Sequence, residues 1–262
     1  MTKIIQADTL SKDRYERSKR LGWFSLEKVR KTKVLVVGAG ALGNEVCKNL
    51  ALSGFGNITI VDMDYIVTSN LNRCIFFSER DAERRRYKAR VVAQKLKKIE
   101  PNVKVKAFVK KIQDFPEDFI PSHNIVLGCL DNVLARLHVN AHCYAHRIPY
   151  IDGATDGLKG KVQVVIAPET SCLECGMNKT HKKISNIRFS CTGKDVMVFE
   201  RKIAADINTT SIISAIQVQE ALKIAHERWE NVIKNIFYYD GERIISQILE
   251  LPINPKCMHH GR

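Results

Sequence analysis

Few folds suit the stretch from Lys33 to Arg73. Val34-Leu35-Val36-Val37 is an unbroken apolar run, the pattern of a strand buried on both faces. Gly38-Ala39-Gly40-Ala41-Leu42-Gly43 follows at once, and Val46, Leu50, Ala51, Leu52 and Ser53 continue at helical spacing. A second apolar run, Ile58–Val61, ends at Asp62. Strand, glycine turn, helix, strand and acid is the order a nucleotide site needs. Gly38 permits the tight turn, Gly40 lets the backbone approach a phosphate, and Gly43 lets the helix pack on the strand. The helix N-terminus offers N–H groups and the positive end of its dipole to an anion. Asp62 stands where a carboxylate can accept hydrogen bonds from ribose hydroxyls. A glycine-rich turn without a ligand is the plain alternative.

The glycine motif alone would suit NAD or FAD, but the next residues point elsewhere. Asp62-Met63-Asp64 and Ser69-Asn70-Leu71-Asn72-Arg73 add a second acid, an amide pair and an arginine. A dinucleotide enzyme has no need of these groups here. A triphosphate site does, because they hold phosphate oxygens and orient charge. Lys88 lies near the start of the next helix and is either a surface lysine or a further phosphate ligand.

With 262 residues, 45% of them apolar, the chain can build one large α/β domain. No run approaches the ~18 apolar residues of a membrane span, so no membrane association is expected. The N-terminal MTKIIQADTLSKDRYERSKR is too polar for a signal peptide, and a cytoplasmic location is expected. Net charge is +14, from 42 Lys+Arg against 28 Asp+Glu. The basic residues are spread, with dense runs at Glu83–Arg90 and Lys179–Lys183. No aromatic-interleaved patch or nucleic-acid-binding spacing accompanies them, so no nucleic acid is expected as partner. The charge reads as a solvated lysine-rich surface, or as a surface for an acidic protein or nucleotide.

Along the chain, residues 1–32 read as two short helices and 33–167 as the nucleotide-binding core. Tyr87–Ile99 reads as a helix, Val103–Phe108 as a strand, and Asp114–Phe119 as a connecting turn. Ile125–Leu127 is a buried strand ending in Gly128-Cys129-Leu130-Asp131-Asn132. Leu134–His146 is a helix, Pro149–Asp152 begins a strand, and Lys161–Ala167 is another. Asp131 follows the C-terminal end of a strand, where open α/β sheets place ligands. It is suited to hold Mg²⁺ or water near phosphates, or, with Asn132, to cap the next helix. Residues 168–208 carry half of a metal motif and then a long polar loop that contains Cys191. In residues 209–262, Thr209–Ala225 is a helix, and Ile236–Asp240 and Arg243–Leu249 form a closing hairpin.

Of the eight cysteines, Cys47, Cys74, Cys129 and Cys143 lie in apolar or helical stretches and read as core. Cys172-Leu173-Glu174-Cys175 is C-x-x-C, and Cys257-Met258-His259-His260 is C-x-x-H. Three thiolates and an imidazole are a common structural Zn²⁺ set. Four protein ligands leave no open position, so the site reads as structural. The spacing favours His260, and His259 is the alternative ligand. A redox C-x-x-C is the other reading, against which the second pair argues.

Together, RYERS, GAGALG, DMD, SNLNR, the Lys88 helix, GCLDN, DGATDG, C-x-x-C and C-x-x-H make the chain resemble the ubiquitin-activating-type adenylyltransferase family. The resemblance runs from Arg14 to Cys257. The family includes bacterial activators of sulfur carriers for molybdopterin and thiamine, and activators of ubiquitin-like proteins. The central region looks closest to the Nedd8-activating branch and to archaeal ubiquitin-like systems. The implied fold is a Rossmann-like, mostly parallel sheet with helices on both faces, a crossover loop and a structural zinc site, all in a single adenylation domain.

The implied chemistry is attack of a carrier protein's C-terminal Gly-Gly carboxylate on the α-phosphate of ATP·Mg²⁺, giving an acyl-adenylate and pyrophosphate. By matching position, Asp62 resembles the ribose ligand. Asp64 belongs to the same acidic motif. Asn70, Arg73 and Lys88 resemble the phosphate-binding set, and Asp131 the magnesium-linked aspartate. Arg17 resembles an arginine that reaches the neighbouring subunit's triphosphate, which implies a homodimer. Some members stop at the adenylate. Others pass the acyl group to a cysteine, and Cys191-Thr192 resembles their Cys-Thr pair, with Arg188 and Lys194 near enough in sequence to lower the thiol's pKa. Gly193-Lys194-Asp195 stands where an arginine and proline pattern is usual. The expectation is thus a thioester-forming activator of a ubiquitin-like protein, with a conjugating enzyme as a further partner. The alternatives are an activator that only adenylates a sulfur carrier for molybdopterin, thiamine or tRNA thiolation, an NAD-dependent oxidoreductase, and a partner-binding pseudo-enzyme.

Overall fold

The computed structural model describes residues 13–177 and 204–260. Its centre is an eight-stranded sheet in the order β3-β2-β1-β4-β5-β6-β7-β8. The strands are β1 (Lys33–Val37), β2 (Asn57–Val61), β3 (Lys104–Phe108), β4 (Ile125–Gly128), β5 (Tyr150–Asp156), β6 (Lys159–Val165), β7 (Ile236–Asp240) and β8 (Ile245–Leu249). The first five pair in parallel, and β6, β7 and β8 are added antiparallel.

The continuous apolar runs have the double burial they imply. In β1, Val34 and Val36 face one core and Leu35 and Val37 the other. The first core takes α2 (Leu26–Lys31), α3 (Ala41–Leu52), α5 (Lys88–Ile99) and a late helix, α7 (Ile207–Ala225). The second takes α6 (Val133–Ala145) and the cysteines of both metal half-motifs. Cys47, Cys74, Cys129 and Cys143 are all buried, as expected of core residues. Two short helices, α1 (Glu16–Lys19) and α4 (Glu79–Glu83), complete the set among the described residues. None of the described helices is long and apolar enough to cross a membrane.

Three local features refine these expectations. Leu52 continues the helical spacing of α3 but is 53% exposed, because it lies in the last turn beyond the buried face. α7 starts at Ile207, where Asp206 caps it by accepting from Thr209 N–H at 2.7 Å, and it buries Ser214, Gln217 and Glu220 beside Ile213 and Val218. Its partner α3 is polar to match: Ser211 Oγ donates to Glu45 Oε2, and Asn49 Nδ2 to Ser214 Oγ, both at 3.2 Å. Finally, β5 runs on through the DGATDG motif to Asp156. β4 ends at Gly128, opposite Asp152, so the β5–β6 hairpin projects beyond it.

Candidate nucleotide site and metal centre

The order β3-β2-β1-β4 makes the gap between β1 and β4 the switch point, where an open α/β sheet leaves a crevice at its C-terminal edge. The glycine loop lies there. Gly38 has φ +99°, and a Cβ on it would come 2.4 Å from the Cys129 carbonyl oxygen. A Cβ on Gly43 would come 2.0 Å from the Gly38 carbonyl oxygen. Both glycines are therefore required by packing. Gly40 differs: a Cβ there meets nothing within 4 Å, so its lack of a side chain leaves open space at the start of α3.

Asp62 closes the loop from β2. Its Oδ2 accepts from Ala39 N–H at 2.6 Å and its Oδ1 from Asp64 N–H at 2.8 Å. Burial raises its carboxyl pKa, against the pull of Lys88 and these two N–H groups. Lys88, on the first turn of α5, reaches back to Asp64 Oδ2 at 2.9 Å. Burial lowers the ammonium's pKa, but Asp62 and Asp64 outweigh it and hold the group more firmly charged. Arg73 turns its guanidinium onto the Ser69 carbonyl and onto Asn72 Oδ1. Asn70 is buried and its Oδ1 accepts from Val67 N–H at 3.1 Å, bracing the turn that carries Arg73. Asp62, Asp64 and Lys88 thus form one cluster beside Gly38 and Gly40, with Asn70 and Arg73 in the loop that follows β2.

Asp131 lies just past the end of β4, exposed and without a hydrogen bond or ion pair among the described residues. The cap of α6 is Asn132, which accepts from Ala135 N–H at 3.1 Å. The carboxylate of Asp131 is therefore left unused by the helix. Arg17 is not part of this cluster. Tyr15 and Arg14, just ahead of it, bond Glu100 Oε2 at 2.6 and 2.8 Å, at the end of α5 and the opposite end of the sheet from the glycine loop. Cys191 lies outside the described residues.

The two metal half-motifs meet under α6. The ligand atoms of Cys172, Cys175, Cys257 and His260 all lie within 4.8 Å of one another. Cys172 Sγ is 3.9 Å from Cys175 Sγ and 3.6 Å from Cys257 Sγ. Ligands about 2.3 Å from a tetrahedral Zn²⁺ would be about 3.8 Å apart. Burial and the neighbouring thiols push the Cys172 thiol up to about 12. His260 Nε2 is buried with no partner, while Nδ1 lies 3.0 Å from the Tyr144 hydroxyl. His259 is engaged elsewhere, its Nε2 3.0 Å from Glu174 Oε1. Asn140 of α6 holds the first knuckle by accepting from Leu173 N–H at 3.0 Å. Three thiols and an imidazole with one buried, unpartnered nitrogen are a donor set that fits a zinc ion.

Several residues that shape the site were not singled out from the sequence. Asn44, fully buried on α3, donates from Nδ2 to the Ala39 and Gly40 carbonyls, both at 2.9 Å. Its Oδ1 accepts from Phe76 N–H at 3.1 Å, so one amide ties the glycine loop to the Arg73 loop. The available signal was a polar residue on the buried side of the helix, one position after Gly43. Tyr144 and the Arg136–Asp152 pair were also missed, since each works through another residue.

A doubly covered, mostly parallel sheet, with a glycine loop, acids and cations at its switch point, defines a Rossmann-like fold. Residues 14–259 match the model of the ThiF family, and the chain belongs to that family. The NEDD8-activating enzyme E1 catalytic subunit of Schizosaccharomyces pombe is 39% identical over 166 residues, covering 62% of this chain and 37% of that protein. SUMO-activating enzyme subunit 2 of Dictyostelium discoideum is 37% identical over 157 residues, covering 59% of this chain and 23% of that protein. The match therefore spans well under half of each relative's length. Among solved structures, E. coli MccB has a TM-score of 0.76 at 22% identity, over 95% of this chain and 74% of that one. This last likeness is one of fold.

Proposed function

We propose that the chain uses ATP to adenylate the C-terminal Gly-Gly carboxylate of a ubiquitin-like protein, and that the Cys191 thiol then attacks the acyl-adenylate, releasing AMP and carrying the acyl group as a thioester. One observation carries this assignment: the Gly38–Gly43 cradle, the Asp62–Lys88–Asp64 cluster and Asp131 all open at the C-terminal edge of β1, β2 and β4. Family membership, and relatives named as activators of NEDD8 and SUMO, support the substrate class.

ATP supplies the electrophilic α-phosphate and pyrophosphate as leaving group. The chain's own groups bind, orient and neutralise, the terms that dominate such chemistry. Gly40 and the first N–H groups of α3 face the phosphates. The lone pairs of Asp62 not taken by Ala39 and Asp64 receive the ribose hydroxyls. Lys88 and Arg73 exchange Asp64 and the Ser69 carbonyl for phosphate oxygens, with Asn70 holding the loop that carries Arg73. Mg²⁺ binds through one or two carboxylates plus substrate phosphates, and the unused carboxylate of Asp131 suits it. Cys172, Cys175, Cys257 and His260 would hold a structural Zn²⁺. Arg17 serves the site of a second copy, making a homodimer. A conjugating enzyme would then receive the thioester.

The test combines ATP–pyrophosphate exchange with a non-reducing gel, using ATP, Mg²⁺ and a Gly-Gly-terminated carrier. Exchange, together with a thiol-sensitive carrier adduct that Cys191→Ala removes, is the expected result. Exchange without the adduct restricts the enzyme to adenylation, as for a sulfur carrier. Stabilisation by NADH and not by ATP·Mg²⁺, without exchange, overturns the proposal.

A further inference from the structure

We infer that Arg136 and Asp152 are a positioning pair for Asp131; this rests on the role proposed above for that carboxylate. Asp131 has no partner of its own among the described residues, so its neighbours set its position. On its C-terminal side, the Asn132 carbonyl accepts from Arg136 N–H at 3.1 Å. Arg136 then anchors the first turn of α6 to the sheet. Its Nε donates to Asp152 Oδ1 at 3.0 Å and its Nη2 to Oδ2, a two-pronged contact that fixes angle as well as distance.

Asp152 is fully buried. It lies opposite Gly128, the residue from which the Asp131 loop departs. Tyr150 donates its hydroxyl to Asp152 Oδ1 at 2.8 Å and fills the space beside Gly128, where a Cβ would come 2.4 Å from the Tyr150 hydroxyl oxygen. From the other face of the sheet, Gln217 Nε2 donates to the Gly128 and Ile151 carbonyls, both at 2.9 Å. The root of the loop is therefore clamped from both sides, and the arginine fork ties the helix to that root. A buried ion pair is an expensive way to hold a helix that apolar packing would also hold. What the fork adds is a fixed orientation of the helix start, and with it of Asp131.

The test compares wild type, Asp152→Asn, Arg136→Lys and Arg136→Met in carrier-dependent ATP–pyrophosphate exchange. Amide hydrogen exchange of the chain without nucleotide or Mg²⁺ is followed in parallel. Asp152→Asn and Arg136→Met are expected to lower kcat roughly 10–100-fold with little change in the KM for ATP, as other supporting-residue changes do. Arg136→Lys should recover part of the loss. Amide exchange of residues 129–135 should quicken while that of β1 stays unchanged. Wild-type kcat in both fork variants, or faster amide exchange throughout the sheet, would overturn the positioning role. Should Asp152→Asn fail to fold, the two Arg136 variants decide. Should wild type itself show no pyrophosphate exchange, the proposed function fails, and the amide-exchange pattern still decides the pair.

Discussion

The Tyr144 hydroxyl lies 3.0 Å from Nδ1 of His260, and the other nitrogen of that ring is buried without a partner. A proton on Nδ1, donated to the tyrosine oxygen, leaves the Nε2 lone pair available to a metal shared with Cys172, Cys175 and Cys257. Metal-binding histidines are commonly oriented in this way.

The chain should accordingly purify with about one zinc per molecule and lose stability to a strong chelator. His260→Ala should lose the metal and His259→Ala retain it, while Tyr144→Phe should weaken affinity roughly 10–100-fold. Elemental analysis and competition with a chromogenic chelator provide the readout. Zinc-free protein, or equal loss in the two histidine variants, would remove the site.

Gly40 and Gly43 should respond differently to the same methyl group. Gly43→Ala drives a Cβ onto the Gly38 carbonyl and should cost about 1–3 kcal/mol or more. Gly40→Ala meets open space and should melt as wild type does, yet bind ATP more weakly because the methyl group takes the room of a phosphate. Thermal melts with and without ATP·Mg²⁺ separate the two effects. Unchanged nucleotide affinity in Gly40→Ala would show that phosphate lies elsewhere.

Asn44→Ala should cost about 1–3 kcal/mol for the Phe76 N–H left without its acceptor. Nucleotide affinity should fall with it, because the glycine and Arg73 loops are no longer tied together. Urea unfolding and a fluorescent nucleotide titration would show both. A variant as stable as wild type, binding equally well, would mean that water replaces the amide without cost.

The sheet's parallel half was legible because double burial writes itself as continuous apolar runs, as in Val34–Val37. Gly38 and Gly43 were legible because only glycine tolerates the backbone approaches they make. The sequence was less informative wherever a polar group is buried by being satisfied. Asn44, Gln217 and Asp152 look like surface residues until their partners, up to 89 positions away for Gln217, are known. The two cysteine motifs were visible singly. That His260 faces the thiols while His259 faces Glu174 depended on the path of the tail.

Lys88 makes a pH-dependent contribution whose sign follows from its charge. Its folded pKa is raised, so the stabilisation is fully present below the unfolded value of about 10.4 and is lost as pH climbs through the folded value. The unfolding free-energy gap between wild type and Lys88→Gln should therefore hold steady from neutral pH into the mildly alkaline range and close only above about pH 10.4. Urea titrations across that range provide the check. A gap that persists unchanged well above it would mean the lysine acts through packing alone.

The segment just ahead of Arg17 is tied through Arg14 and Tyr15 to Glu100, at the opposite end of the sheet from the glycine loop. Arg17→Ala and Asp131→Ala chains, each inactive alone, should recover part of the pyrophosphate exchange when mixed, because one of the two sites in a mixed dimer is intact. No recovery in a mixture shown to exchange subunits would make each chain self-sufficient.

β8 ends the sheet with Ile245, Ile248 and Leu249 all at least 40% exposed, and no described strand pairs with its outer side. An open apolar edge is a template for a second strand. The same molecule carries a net charge of +14, so two copies repel each other before such edges can meet. That repulsion reaches only about 8 Å at physiological ionic strength and shortens as salt is added. On this argument the surplus of lysine and arginine acts as a colloidal stabiliser, and added salt should bring the open edges of two copies closer to contact.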